Sequence, residues 1–196
     1  MGQAQIPHSD VALTTLMDGT KRFVDAKLAH PNQNAEHRVL LGNGQAPFAA
    51  VLACADSRVP PEVLFGQGLG DLFVVRVAGN IINDQLLGSL EYAAAHLHTP
   101  LIMVMGHTSC GAIGAVAQGA DLEGHMSSLI PAIKPSVDKV RGMEGDLTDN
   151  AAREIAKMTA EQLRTSDPVL SPLVAEGKLK VVAGFYDLES GVMELL

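Results

Sequence analysis

Two short polar segments carry the residue types that metal and acid–base chemistry uses, and each directly follows an apolar run. The first is Cys54-Ala55-Asp56-Ser57-Arg58, and the second is His107-Thr108-Ser109-Cys110. Together they contain both cysteines of the chain. Two thiolates and an imidazole are three ligands of a catalytic zinc site, which leaves a fourth position for water or a carboxylate. Because Cys54 lies far upstream of the other two, the spacing indicates a site assembled from two strand ends and not a paired-cysteine knuckle.

The cysteines have two other interpretations, as buried apolar filler or as a disulfide. Each cysteine follows an apolar run instead of lying within it, which weakens the first interpretation. A disulfide would leave His107, Asp56 and Arg58 without a joint role. From spacing alone, a metal site, a disulfide and filler all remain open.

The elements that must position these residues are buried strands. Phe48–Ala53 and Leu101–Gly106 have the length, apolarity and flanking turns of parallel strands, which would place the polar residues at strand carboxyl ends, where open α/β sheets bind ligands. Further strands are predicted at 72–77, 179–186 and 191–195, the last two as a hairpin. The fold class is therefore a single α/β domain over 1–196, with a mostly parallel sheet of four to five strands, the last antiparallel, flanked by helices.

The sequence predicts helices before and between these strands. Ser9 or Asp10 is predicted to cap a helix that runs to about Leu28, and residues 1–31 form an arm well placed to pack on a neighbouring subunit. A helix starting at Gly111 follows Cys110 directly, so its N-terminus favours the thiolate, and small residues there allow close approach of a ligand. Further helices are predicted at 36–41, 60–62, 84–97, 150–163 and 168–175, with helical stretches punctuated by Pro131 and Pro135.

Composition narrows the range of partners. The formal charge of −8 and the scattered basic residues argue against a nucleic acid or an anionic membrane as partner. The chain is 47% hydrophobic without a run long enough to span a bilayer, which predicts a subunit interface and hence a homo-oligomer. Met1–Asp10 shows no secretory signal and no myristoylation motif, so we expect a cytoplasmic location.

The two polar segments, taken together, resemble the signature pair of the β-class carbonic anhydrases. The resemblance continues through Val59-Pro60-Pro61-Glu62, 72–80 and 184–187. It implies one Zn²⁺ per chain held by Cys54, His107 and Cys110, with carbon dioxide and bicarbonate as substrate and product. It also implies a homodimer or a larger assembly of dimers, with the N-terminal arm packed on the partner.

The resemblance further implies roles for residues around the metal. Zinc-bound hydroxide attacks carbon dioxide, while Asp56, clamped by Arg58, orients the zinc water; alternatively Asp56 itself takes the fourth zinc position in a closed, inactive state. Gln45 matches a glutamine that bonds substrate or product in the plant-like, open-site members. Phe73 and Tyr92 match aromatic residues that line the carbon dioxide pocket across the dimer interface, and Gly111 lies beside the last ligand.

The bicarbonate-regulated, closed-site members of the family differ at one informative position. They carry a tryptophan three residues before the first ligand cysteine, where this chain has Val51, although Arg76 and Tyr186 match that subgroup. We therefore predict an open site, with water on zinc at neutral pH. Two alternatives share the zinc ligands: a related carbon disulfide or carbonyl sulfide hydrolase, and a non-catalytic zinc-stabilised interaction module.

Overall fold

The computed structural model describes residues 6–196, which form one five-stranded sheet in the order β2-β1-β3-β4-β5. The first three pairings are parallel and β4 pairs antiparallel with β5, as predicted. The expectations about a signal or lipid motif at residues 1–5 lie outside the described part. The strands are β1 (Ala49–Ala53), β2 (Leu72–Arg76), β3 (Leu101–His107), β4 (Lys180–Tyr186) and β5 (Met193–Leu195).

Helices cover both faces of this sheet. Alternate residues of β1 point to opposite faces, so that Val51 belongs to one apolar core and Leu52 to the other. Every residue of β1 and β3 is buried, as expected of strands in the middle of a parallel sheet. The helices are α1 (Ser9–Val24), α2 (Ala35–Leu41), α3 (Pro61–Leu64), α4 (Asp84–Ala95), α5 (Gly111–Ala117), α6 (Ile130–Val140), α7 (Leu147–Arg164) and α8 (Leu170–Ala175), with 3-10 turns at Ala78–Asn80 and Gly124–Leu129.

Several helix boundaries differ from the predicted ones for local reasons. His8 caps α1 through its ring Nδ1, and α1 ends at Val24 because Ala26 turns into the left-handed region at φ 55°. Helix α7 begins three residues earlier than predicted, since Asp146 Oδ1 accepts the Asp149 N–H (2.9 Å). Both predicted prolines lie within α6: Pro131 is in its first turn, which tolerates a missing N–H, whereas Pro135 lies inside the helix.

Helix α7 approaches the carboxyl end of β3 very closely. A Cβ added at Gly106 would lie 2.6 Å from the carbonyl oxygen of Ala152, so only glycine fits there. Gly106 immediately precedes His107 in the strand. The contact therefore fixes the N-terminal part of α7 beside the second polar segment.

The N-terminal region packs partly on its own chain. Ala12 and Leu16 of α1 are fully buried in the core, while α2 buries none of its residues and exposes Val39 (74%) and Leu40 (67%). The packing of this arm on a partner subunit stays a prediction. Among the described residues, no helix is both long enough and apolar enough to cross a membrane.

Candidate metal centre

The sheet brings Cys54, His107 and Cys110 into one buried group. Cys54 follows β1, His107 ends β3 and Cys110 caps α5, and one ligand atom from each lies within 4.8 Å of the others. The Sγ atoms of the two cysteines are 3.9 Å apart and both thiols are free. Tetrahedral zinc with Zn–S bonds of about 2.3 Å separates two sulfurs by about 3.8 Å, so the observed distance fits zinc and not a disulfide.

The histidine is oriented for ligation by its neighbour. His107 Nδ1 lies 2.8 Å from the carbonyl oxygen of Thr108, which makes Nδ1 the protonated nitrogen and leaves a lone pair on Nε2. Within residues 6–196, that buried Nε2 has no hydrogen-bond partner. Buried polar atoms are rarely left unpaired, and ligation of a metal by Nε2 accounts for this one.

The first cysteine lies among hydrogen-bond donors. Its Sγ accepts the N–H of Asp56 (3.4 Å) and of Gly79 (3.3 Å), the latter from a turn that needs φ 74°. The Cys110 thiol hydrogen bond lowers the pKa of Cys54, helped by these two amides. The same hydrogen bond, together with burial, raises the pKa of Cys110, because a second thiolate would face the first. A dication stabilises both thiolates at once.

Asp56 and Arg58 form a bidentate pair at the edge of the ligand group. Asp56 Oδ1 accepts the backbone N–H and the Nε–H of Arg58 (2.9 Å each), and Oδ2 accepts Nη2–H (2.7 Å). The Arg58 guanidinium holds the pKa of Asp56 well below its usual range, against the opposing effect of partial burial. Asp56 does not belong to the ligand group of Cys54, His107 and Cys110 found among the described residues.

Arg76 holds the backbone of the first segment. Its Nε donates to the carbonyl oxygen of Cys54 (2.9 Å) and its Nη2 to that of Asp56 (2.6 Å). This contact follows from strand register, because Ala53 at the end of β1 pairs with Arg76 at the end of β2. The sequence offered Arg76 only as a match to the bicarbonate-regulated subgroup, and its backbone contacts were missed because register is not visible in spacing.

The predicted substrate residues lie away from the metal ligands of their own chain. Gln45 is exposed and precedes β1 by four residues, at the end opposite Cys54. Phe73 pairs with Ala50, four residues before Cys54, a separation of about 13 Å along the strand. Its ring lies 6.2 Å from that of Tyr92, which is 47% exposed. The structure therefore brings the two aromatic residues together but not with the metal ligands.

Gly111 lies where it was expected, as the first residue of α5 beside Cys110. It is exposed, and apart from its chain neighbours and the backbone of α5, no described atom lies within 4 Å of the position that a Cβ would take. A second missed residue is Asp149, whose Oδ1 accepts the N–H of Ser109 (2.7 Å) from forty residues away. The sequence predicts this helix only from residue 150, so it does not indicate what the Asp149 side chain contacts.

A two-thiolate, one-imidazole group at the carboxyl ends of parallel strands defines a zinc site of the catalytic type. A family model described as carbonic anhydrase matches residues 49–193. Carbonic anhydrase 2 of Mycobacterium tuberculosis is 39% identical over 184 residues, covering 92% of this chain and 89% of that protein. The carbonic anhydrase of Mycolicibacterium smegmatis is 38% identical over 196 residues, covering 97% and 95%.

A solved structure agrees with these relatives. The Coccomyxa β-carbonic anhydrase, determined in complex with acetazolamide, superposes with a TM-score of 0.72 at 25% identity, covering 94% of this chain and 86% of that one. The chain belongs to the β-class carbonic anhydrases, enzymes that hydrate carbon dioxide. Zinc is the cofactor of this class, and the Cys-His-Cys group can bind it.

Proposed function

We propose that this chain catalyses the reversible hydration of carbon dioxide to bicarbonate and a proton in an open site, where Asp56 and Arg58 orient the reacting water. The observation that carries the proposal is the bidentate pair, in which both carboxylate oxygens of Asp56 bond to Arg58. With three hydrogen bonds accepted from Arg58, the carboxylate keeps one of its four lone pairs, on Oδ2, for a water beside the ligand group. Release of Asp56 to the metal would cost all three Arg58 hydrogen bonds.

The chemistry divides between the metal and the chain. Zinc, when bound, lowers the pKa of a water so that it attacks carbon dioxide near neutral pH. Two thiolates bring more negative charge than three imidazoles would, so we expect that ionisation at a somewhat higher pH. Asp56 accepts a hydrogen bond from the reacting water and directs its lone pair, while Arg58 keeps the carboxylate ionised and oriented. The water oxygen forms a bond to the carbon while one carbon–oxygen π bond of carbon dioxide and one O–H bond of the water break, and the released proton leaves to buffer.

The surroundings of the ligands also favour the open state over the bicarbonate-regulated one. Arg76 donates to two backbone carbonyls of the first segment, which leaves it less free to bind an anion. Val51, at the tryptophan position of the regulated members, is fully buried within β1. Tyr186 is buried at the end of β4, where burial raises its pKa.

We also propose that a second copy of the chain completes the site. Gln45 precedes β1 and Phe73 lies beside Ala50, too far from Cys54 to reach the metal ligands of their own chain, while the half-exposed ring of Tyr92 lies beside that of Phe73. Carbon dioxide is apolar, so an aromatic pair supplied by a partner subunit provides a suitable pocket wall. The same proposal includes assembly as a homodimer or a larger homo-oligomer, packing of the N-terminal arm on the partner, and a cytoplasmic location.

Stopped-flow carbon dioxide hydration between about pH 6.5 and 9, with zinc assayed on the same sample, tests the proposal. We expect activity with about one zinc per chain and a smooth rise with pH. A steep switch from near inactivity would favour Asp56 as a closing ligand. Full zinc content without hydration of carbon dioxide would overturn the assignment. In that case, hydrolysis of carbon disulfide or carbonyl sulfide by the same sample would identify the related hydrolase. No reaction with any of these substrates would favour an interaction module.

A further inference from the structure

A two-residue turn, Thr108–Ser109, joins the ligands His107 and Cys110. Ser109 adopts φ 54°, in the left-handed region that serine rarely occupies. Its side chain is exposed and makes no hydrogen bond within the described part of the chain. Because the serine does not stabilise this conformation itself, contacts from other elements must hold the turn.

Strand β4 and the hairpin after it hold the first residue of the turn. The Thr108 N–H donates to the carbonyl oxygen of Tyr186 (3.0 Å), and Thr108 Oγ1 accepts the N–H of Leu188 (2.9 Å). Both contacts hold Thr108 against β4 and the hairpin that follows it. They leave the strained residue, Ser109, to be held from elsewhere.

Asp149 holds Ser109 from helix α7. Its Oδ1 accepts the Ser109 N–H at 2.7 Å. An acidic residue in the first turn of a helix usually interacts favourably with the dipole of that helix, but this one also bonds to another segment. The close approach of Gly106 to Ala152 lies three residues away along both segments, so strand and helix are locked together next to this bond. The Asp149 carboxylate is half-buried and reaches a second element.

The other end of Ser109 faces the catalytic pair. Its carbonyl oxygen accepts Nη2–H of Arg58 (3.2 Å), and the same nitrogen donates to Asp56 Oδ2 (2.7 Å). The direction of that carbonyl depends on the backbone angles of Ser109. A hydrogen bond that holds those angles therefore also sets the Arg58 guanidinium, and through it the Asp56 carboxylate.

We propose that Asp149 is a positioning residue for the reaction: by holding Ser109 in its left-handed conformation, it sets the spacing of His107 and Cys110 and the orientation of the Arg58–Asp56 pair. The proposal rests on the proposed function for its kinetic part. Its metal-binding part stands separately, since zinc affinity can be measured whether or not the protein hydrates carbon dioxide.

Five variants test the proposal, with zinc affinity measured by competition with a chelator and kcat/KM expressed per bound zinc. Asp149→Ala removes the acceptor, and we expect each quantity to fall by about tenfold. Asp149→Asn keeps a carbonyl oxygen in place and should stay within about threefold of the wild type. Asp146→Ala removes the cap of the same helix and should lower Tm while changing both quantities by less than about twofold.

The other two variants, Ser109→Gly alone and Ser109→Gly combined with Asp149→Ala, test whether Asp149 acts through the conformation of Ser109. Glycine adopts φ 54° unaided, so the double variant should lie within about threefold of Ser109→Gly alone. If Asp149→Ala does not fold, this comparison replaces it, and a further tenfold loss in the double variant would overturn the proposal. Three other results would also overturn the proposal. Asp149→Asn could be impaired as much as Asp149→Ala, Asp146→Ala could be impaired to the same extent, or Asp149→Ala could keep wild-type values.

Discussion

The two ends of the central strands are held very differently. At the carboxyl end, the ligand segments make hydrogen bonds with β2, β4, α7 and the 3-10 turn: Arg76 and the amide of Gly79 donate to them, while Asp149 accepts from them. At the amino end, Gln45 is exposed, and the nearby aromatic pair is left with Tyr92 half in solvent. The carboxyl end is therefore preorganised by contacts within its own chain, whereas the amino end has side chains exposed at the surface.

This difference separates two requirements of the site. Metal ligands must be preorganised, because each loosely held ligand adds a conformational cost to binding and lets the geometry drift. A pocket wall for a small apolar substrate has to exclude water, and a partner surface can do so on assembly. The same chain therefore meets the first requirement internally and, in our proposal, leaves the second to a second copy.

The largest loss of activity should come from replacing a metal ligand at the carboxyl end of the strands. Cys54→Ser replaces a thiolate by a hydroxyl, and we expect loss of bound zinc and a fall in kcat/KM of more than about 100-fold, beyond the effect of removing a group that only orients a ligand. Zinc analysis after gel filtration, together with stopped-flow kinetics, measures both. Retention of a full zinc equivalent by this variant would contradict the ligand assignment.

A smaller effect is expected from Asp56→Asn. The amide keeps the shape of the side chain but loses the charge that Arg58 binds, so kcat/KM should fall by about 10–100-fold while zinc stays bound. Kinetics and zinc content on one sample distinguish a loss of orientation from a loss of metal. If zinc is lost along with activity, Asp56 acts as a ligand and the site is not open.

Subunit mixing tests whether the two ends cooperate between chains. Cys54→Ser damages the metal end and Gln45→Ala the other, so a hybrid dimer contains one site with both parts intact. Random mixing makes about half the dimers hybrid, and activity should recover to about a quarter of the wild type. Unmixed samples of each variant are the controls. No recovery, with hybrids verified by mass spectrometry, would place all site residues in one chain.

The smallest predicted effect concerns an ion pair at the amino end, where Asp10 of α1 meets Lys180 at the start of β4. Lys180 lowers the pKa of Asp10 from its ordinary 3.8, so the pair stabilises the fold above that value and its contribution disappears as pH falls through the lowered pKa. Asp10→Asn should lower Tm by less than about 2 °C at pH 7, and not at all in strong acid. Asp18→Asn on the same helix is the control; a difference from wild type that persists in acid would contradict the assignment.

Much of the fold could be predicted because its signals are local. Buried parallel strands appear as uninterrupted apolar runs, and the polar residues that end two of them indicate a site at the sheet edge. Helix limits were predicted less well, since α1 ends where Ala26 turns left-handed and α7 begins where Asp146 caps it. The first depends on a backbone conformation and the second on a side-chain cap, and composition specifies neither.

For this protein, the sequence by itself predicted the parallel α/β class from its apolar runs, and it predicted the Cys-His-Cys group and the Asp56–Arg58 pair through the family resemblance of two short segments, because residue type and order carry that information. Only the tertiary structure decided which groups hold those segments. Arg76 and Asp149 act across strand register and helix packing, and the Gly106–Ala152 approach sets where α7 lies. Such contacts join residues far apart in the chain, and they depend on how strands pair and helices pack, which no local pattern encodes.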